Sequence, residues 1–146
     1  MLFDQPEVVD QAKETLEAAG LAGRFEVVGG DFFSDLPAGA DAYLLSRVVH
    51  DWDDADAGRI LATCHRAMPE GSRLLLIEAI LPERAIDQPA VIRMDINMLL
   101  FLHGRERTAS EFGRLLDERN FRMTRVIGTT STVGLGIIEA VRETAP

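Results

Sequence analysis

Cysteine is almost missing from this chain: Cys64 is the only one among 146 residues. A lone thiol cannot close an intramolecular disulfide, and no Cys/His cluster has the spacing of a zinc site. A disulfide scaffold and a zinc-built fold are both excluded, and no metal is expected. A reducing cytoplasm is the expected compartment, and Cys64 reads as a small buried hydrophobe. Basic residues are also scarce, 15 Lys and Arg against 24 Asp and Glu, for a net charge of -9. Binding a phosphate backbone rests on basic side chains displacing counterions, so nucleic acid is not an expected partner. Long apolar runs are absent: the longest, Met98 to Leu102, falls far short of the roughly 20 residues that cross a bilayer. No charged start followed by an apolar stretch and a small-residue cleavage site marks a secretion signal. Neither a membrane nor an export route is expected, and no repeat or low-complexity segment interrupts the chain.

What is present is an ordinary soluble composition, 47% hydrophobic and 27% charged. A chain of this length buries about 70% of its unfolded surface, so residues 1–146 are read as a single domain with one core. Pro6 opens a stretch with Val9, Ala12, Leu16 and Ala19 at helical spacing, and Gly20 is placed to stop it; a helix is predicted over Glu7 to Ala19. Phe25 to Val28, Ala42 to Val48 and Leu74 to Ile80 are apolar runs without polar alternation, the pattern of strands buried on both faces. Between the last two, Ile60, Cys64 and Met68 line one side of a helix over Ala55 to Met68, broken by Pro69-Glu70-Gly71. Alternating strand and helix implies a parallel sheet. Farther on, Thr108 and Glu111 form a capping box opening a helix through Arg119, with Phe112, Leu115 and Leu116 on its apolar side and Asn120 at its end. Phe121 to Thr129 and Gly134 to Val141 predict two closing strands joined as a hairpin through Thr130-Ser131-Thr132. Pro82 to Pro89 resembles a linker, and the helix after it, Met94 to Leu102, is apolar on nearly all sides and needs a cover.

Side chains capable of chemistry gather where strands end. Open parallel sheets keep their ligands at the carboxyl ends of their strands, and three successive ends are expected to carry Asp31, His50 and Glu78, with Asp4 closing an earlier strand stub. A carboxylate at Asp4 or Asp31 offers two acceptor oxygens to ribose hydroxyls or an adenine amino group; either also suits a helix cap or a turn. An imidazole titrating near pH 6.5 can serve as a general base. The bland alternative has His50 capping the following helix and Glu78 facing solvent at a strand end. His65 and His103 read as structural. Met94, Met98 and Phe101 suit the wall of an aromatic site, and equally a core or a subunit interface.

In their order these segments resemble one family. They are Leu2-Phe3-Asp4-Gln5-Pro6, Gly29-Gly30-Asp31-Phe32-Phe33, His50-Asp51-Trp52, Glu78-Ala79-Ile80-Leu81-Pro82, Met94-Asp95-Ile96-Asn97-Met98-Leu99, and Gly104 through Phe112. The series resembles the S-adenosylmethionine-dependent O-methyltransferases of the caffeic-acid and acetylserotonin type and their bacterial homologues. The resemblance implies an α/β fold with a Rossmann-like sheet, mostly parallel with an antiparallel C-terminal strand. It implies methyl transfer from S-adenosyl-L-methionine to a hydroxyl of a small, aromatic molecule such as a phenol. His50 would be the base, flanked by Glu78 and Glu106. Asp4 would hold the ribose, Asp31 and Phe32 the adenine, and Ser46 would stand on the adenine side, where many plant members place a lysine. Met94, Met98 and Asp51 would meet the acceptor, and full-length members would be homodimers.

Members of that family also carry a Gly-x-Gly-x-Gly loop after their first strand and an N-terminal helical dimerisation domain. Neither precedes Asp4 here, and Gly29-Gly30 follows a later strand. The expected consequence is a sheet missing its first strand, with two strand groups separated by an unpaired seam and a weakly stable monomer. A second reading is therefore a non-catalytic remnant or a split subunit that needs a partner chain to supply those segments. A third, a nicotinamide-dependent oxidoreductase, shares the strand-end acids but has no glycine fingerprint and no role for His50-Asp51-Trp52.

Overall fold

The computed structural model describes residues 1–84, 89–102, 104–131 and 134–144. β1 (Leu2–Asp4) and β2 (Val27–Gly29) pair in parallel, linked by α1 (Pro6–Ala18) and a short 3₁₀ turn over Ala22–Arg24. Pro6 starts α1 because its fixed φ suits a first helical position, and Gly20, at φ +70, ends the helical path. β3 (Ala42–Ser46) and β4 (Arg73–Leu81) form a second parallel pair around α2 (Asp54–Ala67). Asp53 accepts from Asp56 N at 2.9 Å and caps α2, so the helix begins just before the expected Ala55.

α3 (Pro89–Leu102) leads into β5 (Arg107–Thr108), which adds in parallel to the end of β4. The capping box at Thr108 and Glu111 is present and opens α4 (Ala109–Asp117), and Asn120 takes the left-handed conformation, φ 58, that turns the chain out of it. β6 (Phe121–Gly128) and β7 (Leu135–Arg142) form the expected antiparallel hairpin, and β7 lies antiparallel beside β4. The larger sheet runs β3-β4-β7-β6, a mostly parallel α/β arrangement closed by antiparallel C-terminal strands.

Among the described residues, the strands of the two parallel units do not pair: β1-β2 is one sheet and the β4-centred strands another. A groove of about 450 Å³ lies between them, lined on one side by Leu2, Phe3 and Asp4 and on the other by Ala42, Leu44 and Ser46. The seam expected from the sequence is thus present. It also corrects one expectation. Of the three runs read as strands buried on both faces, β3 alternates between half-buried and exposed, with Leu44 59% exposed, because its groove-facing side is uncovered among the described residues. β2 starts at Val27 rather than Phe25, which is exposed, and β3 stops at Ser46 because Arg47 adopts φ 55.

The core sits between β4 and β7 on one side and α2 and α4 on the other, with Ile60, Leu61, Leu74, Leu76, Phe112 and Ile138 fully buried. Each such side chain contributes about 1.5–3 kcal/mol through removal from water. Cys64 belongs to this cluster, and burial pushes its thiol up to about 12, so it is an inert hydrophobe. On α3, Val91 is buried while Ile96, Leu99 and Leu100 are exposed, so much of this apolar helix is left uncovered. The side chains of Met94 and Phe101, the residue His103, positions 85–88 of the Pro82 to Pro89 stretch, and Thr132 lie outside the described residues.

Candidate active site

The left-handed Arg47 redirects the chain from β3 into a 3₁₀ turn over Val49–Asp51, and this turn buries the His50 ring to 3% exposure. β4 runs alongside. Side chains alternate along a strand, so Glu78 shares the core-facing side with Leu74 and Leu76 and is forced inside, fully buried. It is therefore not at a strand end facing solvent, as one reading had it, but within β4. Its Oε1 accepts hydrogen bonds from Val49 N at 2.8 Å and Val48 N at 3.1 Å, which holds the start of the histidine turn against the sheet.

Glu106, also fully buried, comes from the segment before β5 and receives His50 Nδ1 at 3.0 Å from its Oε1. Its backbone N–H donates to Asp95 Oδ1 of α3 at 2.8 Å. An ionised carboxylate only accepts, so Nδ1 carries the hydrogen and the neutral ring keeps its lone pair on Nε2. Asp51 Oδ1 stands 3.3 Å from that Nε2. Two carboxylates thus face the two ring nitrogens.

The electrostatics follow. Burial by itself disfavours the imidazolium, but the hydrogen bond to Glu106 and the charges of Glu78, Glu106 and Asp51 outweigh it, and His50 titrates above its ordinary 6.5. Burial pushes the Glu78 carboxyl up from 4.5, against the opposing pull of His50 and the Val49 and Val48 N–H groups. Among the described residues, Glu78 Oε2 and Glu106 Oε2 are buried without a hydrogen-bond partner. His50, Glu78 and Glu106 each offer a donor atom within 4.8 Å of the others, a spacing a divalent cation can bridge. Nδ1 is already bonded to Glu106 and Glu78 Oε1 accepts from two N–H groups, which leaves the two Oε2 atoms as the unpartnered oxygens of the cluster.

The other predicted residues divide between the groove and its surroundings. Asp4, Phe32 and Ser46 line the groove between the two sheets; Asp31, Asp51, Met98, His50 and both glutamates do not, and Val48 is the lining residue nearest the ring in sequence. Asp4 Oδ1 accepts from Gln5 N at 2.7 Å. Asp31 makes a turn, accepting from Phe33 N at 2.9 Å and Ser34 Oγ at 2.9 Å, and these bonds hold its exposed carboxyl below 3.8. Met98 is half-buried on α3.

Three contributors were not singled out from the sequence. Trp52 packs edge-on against Phe33 at 4.7 Å and Phe32 at 6.1 Å, joining the Asp31 loop to the His50 turn. Asp95 anchors the Glu106 backbone. Arg107, 1% exposed, bonds the carbonyls of Val49 and Trp52 on either side of His50-Asp51. The only sequence signal for Arg107 and Asp95 was their place inside segments quoted for other residues.

The O-methyltransferase domain model matches residues 1–122. The phenazine O-methyltransferase PhzM of Lysobacter antibioticus is 45% identical over 141 residues, covering 96% of this chain and 40% of that protein. Acetylserotonin O-methyltransferase of Gallus gallus is 38% identical over 125 residues, 86% of this chain and 36% of that protein. Among solved structures, that of LaPhzM superposes with a TM-score of 0.91 at 44% identity, covering 97% of this chain and 42% of that one. The O-methyltransferase NcsB1 from neocarzinostatin biosynthesis, in complex with S-adenosylmethionine and 2-hydroxy-5-methyl naphthoic acid, gives 0.84 at 34% identity, covering 97% of this chain and 40% of that one. A buried histidine and carboxylate pair set on an α/β sheet thus occurs in a chain that belongs to the O-methyltransferase family. It spans about 40% of the length of the relatives it matches.

Proposed function

We propose that this chain is the base-bearing part of a catalytic domain, single over residues 1–146, that transfers a methyl group from S-adenosylmethionine to a hydroxyl of a small aromatic molecule. The observation that carries it is the buried His50 ring with Nδ1 held on Glu106 at 3.0 Å, in a chain of this family. A phenol titrates near pH 10 and is a weak nucleophile at neutral pH. His50 takes the hydroxyl proton on Nε2 as the oxygen attacks, and the flanking carboxylates stabilise the resulting imidazolium. Asp51, beside Nε2, and Met98 on α3 are assigned to the acceptor, with Met94 as the remaining candidate.

The groove fits the cofactor's adenosine end. An acceptor carboxylate at Asp4, an aromatic face at Phe32 and a hydroxyl at Ser46 share its lining, and Asp31 is pre-set by its own turn. Bound S-adenosylmethionine supplies a methyl carbon on a sulfonium, already electrophilic, so that the oxygen gains the carbon as sulfur keeps the bonding pair. The chain's own contribution is then proton removal and alignment.

The test is His50→Ala in the whole protein. Turnover is expected to fall by at least about 10²-fold while cofactor affinity, measured calorimetrically, stays within about twofold; undiminished methyl transfer removes His50 as the base. The unpaired groove between β1 and β3 favours a second reading, in which the methionine side of the site and the central strand come from another segment or a partner chain. On that reading the isolated chain neither turns over nor binds S-adenosylmethionine, and micromolar binding by the chain alone refutes it. The exposed Ile96, Leu99 and Leu100 of α3 suit a subunit contact of the homodimer proposed for the whole protein.

A further inference from the structure

The segment from Gly104 to Arg107, which leads into β5, wraps the histidine turn. A Cβ on Gly104 would lie 2.1 Å from His50 O and 2.6 Å from the Asp51 carbonyl carbon, so only glycine lets the two backbones touch there. Arg105 N donates to His50 O at 2.8 Å, and Glu106 takes the ring. Arg107 completes the wrap. Its Nε and Nη2 bond Asp54 Oδ1 at 2.9 and 2.8 Å. Nη1 bonds Val49 O at 3.1 Å and Arg105 O at 3.3 Å, and Nη2 also bonds Trp52 O at 2.9 Å. A guanidinium has five N–H donors in a rigid fork, and these five bonds leave none unmet in a side chain 1% exposed.

Taking a guanidinium out of water is costly unless every donor is matched. A buried apolar side chain would fill the same space without that cost, so the arrangement is the one expected where the geometry of the carbonyls matters. Val49 O and Trp52 O bracket His50-Asp51.

We propose that Arg107 is a positioning residue for the His50 base: by gripping the carbonyls on both sides of the turn, it holds the ring with Nδ1 on Glu106 and Nε2 presented beside Asp51. Asp54, at the first turn of α2 and 60% exposed, orients the guanidinium from outside. The inference rests on the reading of His50 as the base.

The experiment uses the whole protein with isotope-labelled histidine, so that NMR reports the His50 tautomer and its titration while methyl transfer is assayed in parallel. Arg107→Lys keeps the charge and loses the fork; Arg107→Gln loses both; Asp54→Asn leaves the buried side chain in place. In both Arg107 variants kcat is expected to fall about tenfold to a hundredfold, with the cofactor KM within about twofold. The His50 midpoint is expected to move toward 6.5 and the Nδ1-H tautomer to lose its dominance. Asp54→Asn should show the same changes at smaller size, and it decides the matter if the Arg107 variants do not fold. Folded variants with wild-type His50 titration and kcat overturn the proposal, including variants that lose only thermal stability. Should the wild type transfer no methyl group, the proposed function fails, while the histidine titration still tests the clamp.

Discussion

The two halves of this molecule are held together very differently. Around His50, the turn is fixed by Glu78 on two N–H groups, Glu106 on the ring, Arg105 N on His50 O and the Arg107 guanidinium on two carbonyls. Across the groove, β1 and β2 are three residues each, α1 has one buried residue, Val9, and among the described residues the acidic side chains proposed for the cofactor hydrogen-bond within their own loops. The proton transfer proposed for His50 demands close positioning, which the hydrogen bonds around its turn favour. The groove side offers suitable groups on a thin support, so binding there depends on what covers it.

The largest expected effect tests whether the base side is as rigid as its bonding implies. Gly104→Ala places a methyl group against the His50–Asp51 backbone. kcat should drop about 10²-fold with cofactor affinity unchanged in a calorimetric titration. A near-wild-type rate would mean that the turn yields.

Next in size, Glu106→Gln removes the carboxylate on Nδ1 and one of the charges that lift His50. On the proposed function the base must be neutral to act, so the wild-type rate is expected to rise with pH through a midpoint above 6.5. In the variant this limb should shift to lower pH and the plateau should fall by about tenfold or more, both read from a kcat–pH profile. Stability carries the same sign information. His50 and Glu78 both bind protons more tightly folded than unfolded. The stability they contribute is complete below their unfolded values, 6.5 and 4.5, and is lost as pH rises through the higher folded ones. The urea midpoint should therefore decline as pH rises from 4.5 to above 6.5. Asp31 and Glu139, whose carboxyls are lowered, act only in more acidic solution and do not mask the trend. A midpoint that climbs over that range contradicts the assignment.

Smaller effects belong to the groove. Asp31→Ala loses only an exposed turn and should leave folding nearly unchanged, yet should weaken S-adenosylmethionine binding in the whole protein by about tenfold or more. Leu44→Lys is the mildest for the chain alone, within about 0.5 kcal/mol, because Leu44 is exposed. If a further strand closes the groove, the same change should abolish cofactor binding in the whole protein; equal tolerance in both settings argues against closure.

Elements with local causes were legible. Pro6, the Thr108–Glu111 box and Asn120 act within a few residues of themselves and set helix ends to within a residue or two. The placement of His50 just beyond β3 was legible for the same reason. Glu78 was harder: read as a strand end, it lies inside β4, because the strand continues to Leu81 to pair with β5. Arg107 and Trp52 could not be weighed, since a charged and an aromatic side chain look alike in sequence whether they cover a surface or brace a turn.

Residue order alone dictated most of the strands and helices, though neither β5 nor the start of α3 at Pro89, together with the capped starts, the inert Cys64 and the acids and imidazole lying near strand ends, since these arise from short-range chemistry and periodicity. Folding in three dimensions chose which carboxylate takes the ring and which takes the backbone. It also set the guanidinium around the turn and opened the groove between the sheets. Those outcomes hang on contacts between residues dozens of positions apart, such as His50 with Glu106, which no local pattern encodes.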